Sequence, residues 1–179
     1  MLEKFNLIAS TYRRREHDLL SELWYFLREL GDNKVKASTT GLPGLTVLQT
    51  SLNPVEVIET IEKKTVSEPW YFRYLLKIEP IESCVNSDIE AIKQAVLELA
   101  AEKIKKTDSY KIEIRKRLTS ISRDEIINTI APIFTNKVSL DNPDKIILIE
   151  IIGYRTGVAI IEPKHIVSIQ RLRRQTAQL

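Results

Sequence analysis

The sequence predicts an α+β protein built as two packed domains, residues 1–81 and 82–179. Three observations lead there. Apolar residues recur at helical spacing in some stretches and alternate at strand spacing in others. The first part of the chain reads β-α-β-β-α-β. Residues 145–152, Lys-Ile-Ile-Leu-Ile-Glu-Ile-Ile, form a nearly continuous β-branched run, as in a central strand covered on both faces. A length of 179 residues suits two small domains.

Residues 5–13 predict a first strand. Residues 16–30 carry Leu19, Leu20, Leu23, Leu27 and Leu30 at helical spacing, and Gly31 follows as a C-terminal cap. Residues 34–40 and 45–50 predict two strands joined by the turn Gly41-Leu42-Pro43-Gly44. Asn53-Pro54-Val55-Glu56 opens a helix: Asn caps, Pro fits the first turn, and Glu faces the positive dipole end. Residues 71–81 complete the set as a strand. This order matches a ferredoxin-like unit, with both helices on one face of a four-stranded antiparallel sheet. That superfold hosts many roles and names none.

In the second part, Ser87-Asp88-Ile89-Glu90 and Ser122-Arg123-Asp124-Glu125 have the form of capping boxes, each opening a helix. The second of these helices is expected to run to about residue 135. Between them, Tyr110, Ile112 and Ile114 alternate with Lys111, Glu113, Arg115 and Arg117 along a strand. Asn142-Pro143 marks a turn before residues 145–152, and residues 157–161 are the neighbouring strand. The tail from His165 is expected to be a short helix followed by disorder.

No uncharged apolar run of about eighteen residues exists, so no transmembrane helix is expected. The start, Met1-Leu2-Glu3-Lys4-Phe5, lacks the pattern of a signal peptide. Cys84 is the single cysteine, which excludes an internal disulfide and fits a reducing, cytoplasmic setting. The net charge is only +3, but its distribution is uneven. Arg115, Lys116, Arg117 and Arg123 fall in one acid-free stretch, and Lys164, Arg171, Arg173 and Arg174 in another.

Catalytic chemistry has little to work with. His17, His165 and Cys84 are too scattered for a metal site, and no P-loop, dinucleotide loop or nucleophile elbow is present. No cofactor, metal or catalytic residue is therefore expected. Gly41-Leu42-Pro43-Gly44 has the Gly-x-x-Gly form of a phosphate clamp, but it joins two strands and holds no basic residue, so a hairpin turn explains it better. Among the aromatics, Tyr110 is expected in the core, and Trp24 and Trp70 in the core or at a domain interface. Tyr154, in a charged turn, is the candidate for stacking on an unpaired base.

The second half resembles a THUMP domain, a tRNA-binding module of RNA-modification proteins. The resemblance rests on Tyr110-Lys111-Ile112-Glu113-Ile114-Arg115-Lys116-Arg117 followed by Ser122-Arg123-Asp124-Glu125-Ile126-Ile127. It continues in Lys137-Val138-Ser139-Leu140-Asp141-Asn142-Pro143-Asp144, the apolar strand after it, and Gly157-Val158-Ala159-Ile160-Ile161. It spans about residues 79–166 and is nearest to the stand-alone adaptor of tRNA cytidine acetylation in eukaryotes and its archaeal relatives. One departure is the turn Tyr154-Arg155-Thr156, where the adaptor has small or cysteine residues.

The resemblance implies a ferredoxin-like domain ahead of an α/β THUMP domain and binding of tRNA at its acceptor stem and 3′ end. It implies a non-catalytic adaptor that presents tRNA to a separate enzyme, a tRNA cytidine acetyltransferase. The alternatives are service to another tRNA-modifying enzyme, or a protein-interaction module with incidental basic patches. The expected RNA-contacting residues are Arg115, Lys116, Arg117 and Arg123, with Lys137, Tyr154, Arg155 and Lys164 around them.

Overall fold

A computed structural model describes residues 1–177 of the chain. Two compact units emerge. The first comprises the chain up to Ile81 and returns at Lys164; the second runs from Glu82 to Pro163. The tail from Lys164, read in the sequence as part of the second domain, groups with the first unit.

The first unit begins β1 (Leu7–Ser10), α1 (Glu16–Glu29), β2 (Lys36–Thr39), β3 (Leu45–Gln49), α2 (Pro54–Ser67) and β4 (Lys77–Pro80). Helix α1 ends as a Schellman motif. Gly31 sits at φ 97°, its amide donates to Arg28 O, and the Asp32 amide donates to Leu27 O. Helix α2 starts as its sequence dictates, with Asn53 Oδ1 accepting from the Val55 and Glu56 amides. After the second unit the chain adds β9 (Val167–Ser168) and α5 (Ile169–Thr176). The disorder expected at the end of the tail falls on residues 178 and 179, outside the described residues. The sheet order is β2-β3-β1-β4-β9, antiparallel throughout.

One sheet face carries Leu7, Ala9, Leu48, Ile78 and Val167, and both helices pack there through Leu19, Leu23, Phe26, Leu27, Val57, Ile58 and Ile61. Ile169 of α5 completes this core. Asp32 is fully buried beneath the β3–α2 connection. It accepts hydrogen bonds from Thr50 Oγ1, Ser51 Oγ and the Ser51 and Lys34 amides. Burial pushes its carboxyl up, but these donors outweigh burial and hold it below the ordinary aspartate value.

The strand expected over residues 71–81 is shorter than its pattern. The Glu22 carboxylate accepts from the backbone amides of Arg73, Tyr74 and Leu75, which are then not available to a strand ladder. Trp70 also departs from expectation. It is 79% exposed, with the Arg173 guanidinium 4.4 Å from its ring centroid, so it is a surface residue.

The second unit contains β5 (Ser83–Asn86), α3 (Ile89–Lys103), β6 (Tyr110–Arg117), α4 (Arg123–Ile130), β7 (Lys145–Ile152) and β8 (Arg155–Ile161). Its sheet order is β5-β8-β7-β6. Strands β6 and β7 are parallel, and the other neighbours are antiparallel. One face is covered by α3 and α4. There Ile92, Val96, Ile126 and Ile130 meet Ile114, Ile147, Ile149, Ile151, Val158 and Ile160. Tyr110 is buried in the same core, as its alternation predicts.

The two expected capping boxes behave differently. Ser122 caps α4, accepting from the Glu125 amide at 3.0 Å. Asp88 rather than Ser87 caps α3, because the Ser87 hydroxyl bonds Thr156 Oγ1 and its amide donates to Tyr154 O. Helix α4 also stops earlier than expected. Pro132 has no amide to continue the ladder, and Ala131–Ile133 form a 3-10 turn. Among the described residues no helix is long and apolar enough to cross a membrane.

Candidate nucleic-acid interface

Strand directions in the second unit bring the relevant loops together. Since β8 is antiparallel to both β5 and β7, and β6 is parallel to β7, strands β5, β6 and β7 all end at one edge. From that edge start α3, after Asn86, and α4, after Arg117; the β7–β8 turn holding Gly153 and Tyr154 lies there too. Two helix N-termini on one rim give a concentration of positive dipole ends suited to phosphate.

The side chains on this rim are of two kinds. Lys116 and Arg123 are exposed, and each is steadied by one main-chain contact: Lys116 Nζ donates to Ile121 O at 2.9 Å and Arg123 Nη1 to Ile114 O at 3.1 Å. Tyr154 is 57% exposed in its turn, a position from which a ring can stack on a base. Leu118, 73% exposed and at φ 55°, is a rim residue that no sequence pattern marks. The first turns also hold Asp88, Glu90, Asp124 and Glu125, which complement the helix dipoles and make the rim mixed in sign.

Arg115 and Arg117 point to the sheet face opposite the helices, where Glu150 is fully buried on β7. Arg115 reaches Glu150 Oε1 and Arg117 reaches Oε2, each at 2.6 Å, and Arg115 also bonds Glu113. These two arginines, expected as RNA contacts, are the counter-charges of an internal carboxylate. Arg155 is likewise turned inward. It is 9% exposed and donates to Asn86 Oδ1 at 2.6 Å and Cys84 O at 3.0 Å, tying β8 to β5.

The remaining expected contacts are not on the rim. Lys137 is exposed, but its carbonyl accepts from the Tyr110 amide at the start of β6. That is the opposite end of an eight-residue strand, roughly 23 Å away at about 3.3 Å per residue. Lys164 belongs to the first unit, with its Nζ 3.6 Å from a Glu59 carboxylate oxygen. No group of His, Cys, Asp and Glu among the described residues could hold a metal.

A four-stranded mixed sheet with α3 and α4 on one face, and with strand ends and helix starts gathered on a single rim, defines the second unit as a small α/β domain. Residues 86–161 match the model of the THUMP domain family.

Solved structures share the fold across both units. The crystal structure of PH1313 from Pyrococcus horikoshii Ot3 matches with a TM-score of 0.66 and 17% identity, covering 89% of this chain and 55% of that one. TrmN from Thermus thermophilus matches with a TM-score of 0.60 and 14% identity, over 90% of this chain and 47% of that one. A 4-thiouridine synthetase, in complex with RNA and bound ATP, matches with a TM-score of 0.53 and 14% identity, over 89% and 42%. The chain thus spans about half the length of the structures it resembles. No curated protein matches the sequence.

Proposed function

We propose that this chain is a cytoplasmic tRNA-binding protein that presents tRNA to a separate modifying enzyme. The observation that carries this reading is the THUMP match over residues 86–161, which spans both helix starts and the Tyr154 turn of the rim. The structural likeness to a 4-thiouridine synthetase bound to RNA supports the same substrate class. In this reading Lys116, Arg123 and the two helix N-termini hold phosphates, while Tyr154 stacks on an unpaired base. Recognition then follows tRNA shape and its single-stranded 3′ end, because an RNA duplex hides its base edges in a deep, narrow groove.

The first unit acts as a ferredoxin-like domain preceding the THUMP domain; its sheet order β2-β3-β1-β4 supports that assignment. The partner we favour is a tRNA cytidine acetyltransferase, on the resemblance of the second half to the adaptor of that reaction, and this chain contributes binding rather than chemistry. The test is filter binding of the full chain to bulk tRNA, followed by reconstitution with an acetyltransferase and acetyl-CoA. Saturable tRNA binding and chain-dependent cytidine acetylation are expected. Absence of tRNA binding sinks the reading. Binding that stimulates a different modifying enzyme instead replaces the partner.

A further inference from the structure

The first unit holds a groove that the THUMP match does not touch. The β1–α1 connection and the β2–β3 turn enclose about 500 Å³, lined by Arg13, Arg14, Glu16, His17, Leu42 and Pro43 among others. Both arginines are exposed, and among the described residues neither guanidinium has a hydrogen-bond or ion-pair partner. Arg15, next in the run, is by contrast engaged, with Asp18 at 3.1 Å and the Tyr74 hydroxyl at 3.0 Å.

The groove's walls are fixed. Gly44 sits at φ 72°, and a Cβ there would lie 2.6 Å from Thr11 O. The Thr11 amide donates to Gly44 O at 2.9 Å, so turn and connection are locked together. Glu16 is the one carboxylate in the lining, and it is committed to the backbone, accepting from the Gly44 amide at 2.5 Å and the Arg14 amide at 3.2 Å. The Gly44 hydrogen bond holds its carboxyl below the usual glutamate value, so at neutral pH it braces the wall as an anion. The first turn of helix α1 carries Glu16 and Asp18, and Asp18 is paired with Arg15, so the positive charge facing the groove is that of Arg13 and Arg14.

Two unpaired guanidinium groups and a histidine around a pinned concave wall suit a compact anion. Guanidinium forks match phosphate oxygens in geometry as well as charge. We infer that the groove between Arg13-Arg14 and the Gly41-Leu42-Pro43-Gly44 turn binds a phosphate group. Its source is either a backbone phosphate of bound RNA or a small phosphorylated molecule. The inference concerns the other unit and other residues than the proposed tRNA rim, and it stands without that reading.

Two measurements on the full chain decide it. In the first, inorganic phosphate is titrated while the Gly41 and Gly44 amides and the Arg13 and Arg14 Nε–H groups are followed by NMR. Saturable shifts confined to the groove are expected, and they should vanish in the Arg13→Gln/Arg14→Gln variant. In the second, tRNA affinity is measured against salt for the wild type, for that variant, and for an Arg171→Gln/Arg174→Gln control that removes two exposed arginines elsewhere.

If the groove takes an RNA phosphate, the groove variant loses about 0.9 from the log–log salt slope per contact removed, and more than the control does. If groove shifts occur with phosphate but the groove variant matches the control, the ligand is a small phosphorylated molecule. A wild type that fails to bind tRNA refutes the function proposed above, and the phosphate titration alone then decides the groove. No groove shifts, together with a salt slope no different from the control, overturns the inference.

Discussion

Arg115 on β6 and Glu150 on β7 occupy matched positions on neighbouring parallel strands and meet at 2.6 Å, with the carboxylate fully buried. Arg117, one strand repeat further on, takes the other oxygen. What looks in the sequence like a cationic strand end is therefore an internally neutralised cluster. A buried charge that loses its partners is costly, whereas the intact cluster need not add net stability.

Replacing both arginines, as Arg115→Gln/Arg117→Gln, should therefore destabilise the fold by about 3–5 kcal/mol. Urea unfolding followed by circular dichroism checks this. A midpoint equal to that of the wild type would show that Glu150 does not depend on them. Any loss of RNA binding by this variant must be read against its folded fraction.

Charge reversal at Lys116 and Arg123 should act differently. Both side chains are exposed, so Lys116→Glu/Arg123→Glu should keep its unfolding midpoint. Its tRNA affinity should fall for all tRNAs alike, and the salt slope should shrink by about 1–2. Wild-type affinity and slope in the folded variant would remove the rim from the binding surface.

Tyr154 gives a prediction about the unpaired end. Trimming the 3′ nucleotides from tRNA should weaken binding by roughly 1–3 kcal/mol, the worth of a stacked base, and Tyr154→Ala should largely abolish the difference between trimmed and intact tRNA. Scrambling the stem while preserving pairing should matter much less. Equal binding of trimmed and intact tRNA to the wild type would reject 3′-end recognition.

Asp32 supplies a pH dependence. Its folded carboxyl titrates lower than in the unfolded chain, so the unfolded state binds more protons in the acid range. The stability it contributes is complete above the unfolded value of about 3.9 and is lost as pH falls through the lower folded value. Melting temperature measured from pH 6 downward should drop less steeply in Asp32→Asn than in the wild type over that window. Parallel curves would assign the acid sensitivity to other groups.

The tail offers a packing test. Ile169 is fully buried in the first unit's core, and its amide donates to Leu76 O at 2.9 Å. Ile169→Ala should cost about 2–5 kcal/mol of unfolding free energy. A cost below about 1 kcal/mol would mean that α5 is a loosely held appendage.

Local signals made most elements legible in the sequence. Gly31 ends α1, Asn53 caps α2, Ser122 caps α4, and the apolar run of β7 marks a central strand. What escaped depends on contacts distant in sequence. Glu22 removes the amides of residues 73–75 from β4 across about fifty positions. Ser87 leaves the cap role to Asp88 because its hydroxyl is engaged by Thr156. The site was legible by type more than by residue. Lys116, Arg123 and Tyr154 do lie on the rim, but no pattern within β6 reveals that Glu150 claims Arg115 and Arg117. Arg155 reads as a surface cation until Asn86 and Cys84 are seen beside it.

The return of the chain to the first unit at Lys164 sets an order on its biogenesis. During synthesis, Ile81 emerges long before Val167 and Ile169 exist to finish that unit's sheet and core. At roughly 5–20 residues per second, the gap between Ile81 and Lys164 lasts about 4–16 s. Throughout it the β4 edge stands unpaired and the apolar surface beneath α5 is bare. The second unit, contiguous from Glu82 to Pro163, can close while the first waits. A nascent chain that has emerged from the ribosome as far as Pro163 is then the species most in need of a chaperone, with its later unit able to fold and its earlier unit still open.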